Sequence, residues 1–163
     1  MAVKVISQDV RTVRTEALIV GCYEDVRPLK GLAGELDWLL CGALSRLLLK
    51  KNILGSLGDV ALLTSQGKVP AAKIFLIGLG QRQTLSAAAV QSAARNAVAS
   101  AVSAGVRQAA MECFPLSGTG DDPAFMTALV KGVAEGVDGH GLDLSLLAPD
   151  AAACERISRT INS

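Results

Sequence analysis

Lys73-Ile74-Phe75-Leu76-Ile77-Gly78-Leu79-Gly80, followed beyond Gln83 by an Ala-rich stretch, is the segment that decides how this chain folds. Its apolar character is continuous rather than alternating, which marks a strand covered on both faces. Gly78 and Gly80 end the strand in a turn, and Thr84 stands where a side-chain oxygen caps the next helix, predicted to run to about Ala104. Ala88, Ala89, Ala93, Ala97 and Ala101 allow that helix to lie close on a sheet. A strand, turn and helix of this kind expect a parallel neighbour reached by a right-handed crossover. Ala109 to Pro115 is the segment predicted to supply it.

The same reading extends in both directions. Upstream, Lys4 to Ile6 and Ala17 to Tyr23 are strands. Ala33 to Leu49 reads as one amphipathic helix, with Leu36, Leu39, Leu40, Ala43, Leu44, Leu47 and Leu48 inward and Glu35, Asp37, Arg46 and Lys50 outward. Trp38, early on that helix, is assigned to the core, with a subunit contact as its alternative. Asp59 to Thr64 is a further strand. Downstream, Leu116 to Asp121 is a Gly/Ser loop and Asp122-Pro123 starts a helix whose inner line is Phe125, Leu129, Val133 and Val137. Asp138-Gly139-His140-Gly141 stops it, Leu142 to Leu147 is the last strand, and Asp150 caps a final helix over Ala151 to Ile161. Residues 1–163 thus form a single three-layer α/β/α domain of about six strands and four helices, with helices on both faces of the sheet.

Composition removes several classes of function. Half the residues are hydrophobic but only 3% are aromatic, so the core is aliphatic. Sixteen basic against fifteen acidic residues leave a net charge of +1, so no general field draws the chain to nucleic acid. Lys50-Lys51 and the scattered Arg11, Arg14 and Arg27 read as solvated surface. Met1 to Asp9 has no leader pattern, and Leu39 to Leu49 is interrupted by Arg46 and too short for a bilayer, so a soluble cytoplasmic protein is expected. Cys22, Cys41, Cys113 and Cys154 have no Cys-x-x-Cys spacing; reduced structural thiols are expected, with Cys154 the one most reachable by solvent.

Several motifs in order carry a resemblance. Leu32-Ala33-Gly34-Glu35-Leu36-Asp37 continuing to Gly42-Ala43-Leu44-Ser45-Arg46-Leu47, Gly58-Asp59 before a strand, Ile74 to Arg82 before the Ala-rich helix, and Ala134-Glu135-Gly136-Val137 resemble the N-terminal domain of the leucine aminopeptidase family. The likeness covers roughly residues 3 to 138. It implies a fold similar to the macro domain, a mixed sheet between helices. It also implies a role in assembling hexamers and limiting access to active sites rather than in hydrolysis. The family's metal-binding catalytic domain has no counterpart here: neither a Phe-Asp-Ser-Gly-Gly run nor an Asn-Thr-Asp-Ala-Glu-Gly-Arg run occurs, and no catalytic residue carries over. From Val137 the chain departs from the family with its own strand and helix, which reads as a finished stand-alone domain.

Candidate sites are few. Gly78, Gly80 and Gln81, with Gly118 and Gly120 in the second glycine loop, are the candidate ligand residues, because exposed turn amides at strand carboxyl ends can meet a small anionic ligand. Gln at position 83 breaks the dinucleotide fingerprint. His140, beside Asp138 and Asp143, lacks the converging ligands zinc needs and is expected on a surface loop, so no metal and no cofactor are assigned. Ser45 and Ser117 lack an activating base and read as cap or turn hydroxyls. The outward face of the Ala-rich helix, with Gln91, Ser92, Arg95, Asn96 and Ser100, is polar but barely charged and is a candidate subunit contact or a solvated surface. The expected function is non-catalytic: an assembly or regulatory module that binds itself or a protein partner. A macro-like domain for nucleotide or ADP-ribose and a non-catalytic subunit of a split aminopeptidase are the alternatives.

Overall fold

The run that opens at Lys73 becomes β4 (Lys73–Gly78), inside a six-stranded sheet of order β1-β6-β5-β2-β4-β3. The other strands are β1 (Val3–Ile6), β2 (Ala17–Cys22), β3 (Val60–Thr64), β5 (Gln108–Glu112) and β6 (Asp143–Leu147). The computed structural model describes residues 3–113, 123–137 and 139–162. β3 alone runs antiparallel, against β4, so the sheet is mixed; the other pairings are parallel. All six residues of β2 are buried, as its unbroken apolar character predicts.

β5 is parallel to β4 but does not touch it. β2 lies between them, pairing with β4 through Ala17↔Lys73 to Cys22↔Gly78 and with β5 through Ala17↔Ala109 to Ile19↔Met111. The expected direct pairing of β4 with Ala109 to Pro115 is corrected accordingly. A crossover rule constrains strands within one sheet, and β2, formed earlier in the chain, takes the central place.

Helices α1 (Gly31–Leu39) and α2 (Ala43–Leu49) occupy one side of the sheet. Their Leu36, Leu40 and Leu44 pack with Leu18, Val20, Ile74 and Leu76. Helices α3 (Ala87–Ser103), α4 (Pro123–Val137) and α5 (Ala151–Asn162) cover the other side, where Val90, Ala97, Leu129 and Ile157 meet Ile19, Phe75, Ile77 and Leu144. Successive strand residues supply the two cores alternately.

The helix expected over Ala33 to Leu49 is two helices, which brings the described α-helices to five rather than four. Cys41 (φ 56°) and Gly42 (φ 84°) are left-handed, and Gly42 donates to the Asp37 carbonyl at 2.7 Å, the geometry that closes a helix. Asp37 does not simply face water: its carboxylate accepts the Ser45 amide at 2.9 Å and the Ser45 hydroxyl, capping α2 from the preceding helix. The break re-aims its neighbours. Trp38, assigned to the core, is 80% exposed. Cys41 is exposed, whereas Cys154 is only half-buried, which reverses their expected accessibility; all four thiols are free.

Ser86, not Thr84, caps α3, accepting the Ala89 amide at 3.1 Å; Thr84 ends a single 3-10 turn over Arg82–Thr84. The α3–α4 contact depends on glycine. A Cβ on Gly132 would lie 2.2 Å from the Gln91 carbonyl oxygen, and one on Gly136 2.8 Å from that of Arg95. Gln91 and Arg95 reach across this contact to Glu135, at 2.6 and 3.2 Å, so part of the outward face of α3 is used within the chain. Asp150 caps α5, accepting the Ala153 amide at 2.8 Å.

Candidate functional site: a cleft at the split between two strands

Pairing between β2 and β5 stops at Ile19↔Met111, while β2 continues to Cys22 along β4 and β5 continues to Glu112 along β6. The sheet therefore opens at its carboxyl end. β2 is followed by α1 on one face of the sheet, and α4, the next described element after β5, lies on the other. Such a switch point is where open α/β sheets present a crevice, and here it holds a cleft of about 940 Å³.

The cleft is bounded by the ends of four parallel strands. Ser7 to Val10 follow β1, Gly21 to Tyr23 close β2, Glu112 closes β5, and Leu147 to Pro149 follow β6. Val26, Leu29, Lys30, Leu32 and Glu35, before and within the first turns of α1, form the opposite wall, and Arg82 reaches in beyond β4.

Charge is arranged in two tiers. Asp9, Lys30, Glu35 and Arg82 are all exposed at the rim. Arg11 forks onto Asp9 with contacts of 2.6 and 3.0 Å, and these hydrogen bonds hold the Asp9 carboxyl down at about 2. On the floor Glu112 is 6% exposed, and burial raises its carboxyl well above the ordinary 4.5. Its Oε2 has no hydrogen-bond partner among the described residues. Burial likewise pushes the neighbouring Cys22 thiol to about 11 and raises the Tyr23 phenol. The floor is thus neutral and apolar apart from one unsatisfied carboxyl.

Against this geometry stand the comparisons with known proteins. The model of the cytosol aminopeptidase family, N-terminal domain, matches residues 19–138. The chain belongs to the cytosol aminopeptidase family. A probable cytosol aminopeptidase of Geobacter sulfurreducens is 32% identical over 137 residues, 83% of this chain and 27% of that protein. One from Geotalea uraniireducens is 33% identical over 123 residues, 73% of this chain and 23% of its own length. The chain therefore spans about a quarter of these curated relatives. Among solved structures, a tomato leucine aminopeptidase variant superposes with a TM-score of 0.75 at 21% identity, covering 99% of this chain and 35% of that one. A Trypanosoma brucei macrodomain solved with ADP-ribose gives 0.77 at 12% identity, over 98% of this chain and 68% of that one. At such identities these likenesses establish the fold, a macrodomain-like α/β sheet.

Within this cytosol aminopeptidase N-terminal domain, the predicted ligand residues are not at the floor. Gly80 donates to the Gly55 carbonyl at 2.9 Å and accepts the Glu24 amide at 3.0 Å; a Cβ on Gly78 would lie 2.0 Å from the Ser56 carbonyl oxygen. Gly78 and Gly80 thus knit the β4 exit to the loop before β3, Gln81 is exposed and accepts the Thr84 amide at 3.3 Å, and the first residue of this segment to reach the cleft is Arg82, whose amide donates to Asp25 at 2.9 Å. Gly118 and Gly120, with Ser117, Asp121, Asp122 and Asp138, lie outside the described residues. His140 is exposed, its Nδ1 3.1 Å from the Val137 carbonyl. Among the described residues no three His, Cys, Asp or Glu side chains converge to hold a metal ion, and no helix is long and apolar enough to cross a membrane.

Sequence reasoning missed Glu112. The signal was present: an acid inside Ala109-Ala110-Met111-Glu112-Cys113, a run otherwise fit for burial.

Proposed function

We propose that this chain works as a non-catalytic assembly module that pairs with a second copy of itself along β3. The carrying observation is that β3 is an edge strand with no guard among the described residues. Its outer ladder is unpaired, and Val60 and Leu62 are exposed on one side of it, Leu62 by 52%. Leu54 and Leu57, just upstream, extend the apolar surface. Monomeric proteins blunt such edges with lysine, proline or a covering element. The stretch Val60–Thr64 carries neither residue, and Val60 and Leu62 instead face a shallow groove of about 570 Å³ walled by Phe75, Ala99 and Ser100.

An antiparallel strand joined to an identical one across a two-fold axis satisfies both open ladders at once and lets each groove receive the other copy's side chains. Of the α3 face, Asn96 and Ser100 border this groove. Sedimentation velocity across a concentration series tests the reading. A monomer–dimer equilibrium is expected, abolished by Leu62→Lys without loss of helical circular dichroism. A wild-type chain that sediments as a monomer up to its solubility limit would remove the proposal.

The cleft favours a second reading, recognition of a small ligand at the β2–β5 split, with Gly78, Gly80 and Gln81 acting from beside it by positioning Arg82. The support is the switch-point location and an unfilled volume of about 940 Å³. Calorimetric titration with ADP-ribose, the ligand of one macrodomain of similar fold, is its direct test.

A further inference from the structure

Resting on the small-ligand reading of the cleft, we infer that the preferred ligand class is an organic cation: an ammonium group seated on the Glu112 carboxylate, carrying an apolar body between α1 and the end of β6. Three observations converge on it.

The first is the orphan acceptor. Glu112 lines the cleft, is more than nine-tenths buried, and leaves Oε2 without a partner among the described residues. An unsatisfied buried polar atom is costly, so it persists where something else satisfies it. The second is the charge balance. The titratable groups facing Glu112 are Cys22 and Tyr23 from β2, Asp9 beyond β1, Lys30 and Glu35 at α1, and Arg82 beyond β4; the end of β6 contributes only Leu147, Ala148 and Pro149. Cys22 and Tyr23 are neutral near pH 7, and Asp9 is engaged by Arg11, which leaves Glu35 against Lys30 and Arg82 at the rim, all exposed and screened. These rim charges act through solvent, and the buried floor, which holds Glu112 and no base, sets the sign where a ligand is desolvated. The third is the wall chemistry. Val10, Leu29, Leu32 and Leu147 are buried or half-buried around the carboxyl, which suits a branched hydrocarbon and strengthens any ion pair formed beneath it.

An anion seated on the floor is repelled by an ionised Glu112, and by a protonated one it is offered a single hydroxyl with no basic side chain on the floor to balance its charge. An ammonium ion reverses the cost of burial: it donates to the orphan oxygen and makes the ionised carboxylate the favoured form. Seating it transfers the Glu112 proton to solvent, so affinity rises with pH until the empty site would itself ionise.

The experiment is isothermal titration of the full chain with four probes: isoamylammonium, isoamyl alcohol, isovalerate and ADP-ribose. Near pH 7 each is measured in two buffers of different ionisation heat. Isoamylammonium is expected to bind more tightly than the alcohol by about tenfold or more, the least a hydrogen bond to a charged group contributes, and to release protons on binding because burial favours the protonated carboxyl in the empty site. Glu112→Gln is expected to bring the amine down to the affinity of the alcohol. Equal binding of amine and alcohol, tighter binding of isovalerate, or amine binding that survives Glu112→Gln would overturn the inference. Saturable ADP-ribose binding with no amine binding would keep the cleft reading and overturn the cation; silence from all four probes would end both. Should Glu112→Gln not fold, the carbon-13 resonance of the Glu112 carboxyl in the wild-type chain decides, since a resonance left unperturbed by the amine is equally fatal.

Discussion

The two faces of the sheet are built to different standards. On one, α3, α4 and α5 lie over β2, β4, β5 and β6, and α3 meets α4 at backbone distance because Gly132 and Gly136 remove the side chains that would hold them apart. On the other, the two short helices α1 and α2 cover only part of the sheet. Trp38 and Leu49 stand in solvent, and a cleft remains where β2 and β5 separate. The first face is closed by packing within the chain except at its margin, where Val60 and Leu62 of β3 border the groove beside α3. The second leaves groups unfinished, which is the condition for recognising something else.

The strongest way to break this comparison is to spoil the finished face. Gly132→Ala puts a methyl 2.2 Å from the Gln91 carbonyl and 2.9 Å from the Ala94 Cβ, neither of which can give way without moving α4. Urea denaturation is expected to register a loss of about 3 kcal/mol, the upper end for overpacked cores. A change below about 0.5 kcal/mol, within the range of ordinary surface substitutions, would mean that the helices are not in backbone contact.

On the unfinished face the expected signature is in pH. Glu112 has its carboxyl raised by burial above the ordinary 4.5, so between that value and its folded one the native state holds more protons than the unfolded state. The associated stability is complete in acid and falls as pH rises through this window, by at most about 1.4 kcal/mol per pH unit for one group. Glu112→Gln should flatten that slope and stabilise the chain at alkaline pH. An unchanged slope would place the titration elsewhere.

Smaller effects sharpen the contrast. Asp37→Ala removes the acceptor of the Ser45 amide at the start of α2, and thermal melts should report about 1 kcal/mol of destabilisation, the usual worth of a helix cap. Asp37→Asn should recover most of it. Arg95→Ala breaks a 3.2 Å contact with Glu135 whose partners are roughly half and one-third exposed. Because the pair is partly solvated, the same melts should move by about 0.5 kcal/mol or less, and less still in high salt.

Particular elements show how far the sequence could be read. The strands at Lys73, Ala17 and Leu142 were legible because an apolar run bounded by glycine or polar residues has few alternatives, and their boundaries fall within two residues of the structure. The Asp150 cap was legible for a similar local reason: its acceptor and donor are three residues apart. The break at Cys41 was not, since a stripe of leucines continues at helical spacing across it and only the left-handed backbone at Cys41 and Gly42 reveals the turn. Trp38 followed from that error. At the candidate site, Gly78 and Gly80 announced a turn, but what the turn meets is the loop at Gly55 and Ser56, more than twenty residues earlier in the chain. Glu112 was visible as an acid in an apolar run, yet nothing local says whether such an acid points at solvent, a partner or a cleft.

What the sequence determined by itself is whatever rests on local or periodic chemistry: an α/β chain with both sheet faces covered, an aliphatic core, reduced thiols, and membership in a family recognised by several motifs in order. Tertiary structure decided the rest: β2 taking the place between β4 and β5, the sheet splitting beyond Ile19 and Met111, Glu112 resting on the floor of that split, and β3 left bare at the edge. The physical reason is that burial and partnership belong to three-dimensional neighbourhoods. A carboxyl is costly or harmless, and an apolar strand is core or interface, according to which distant segments arrive beside it.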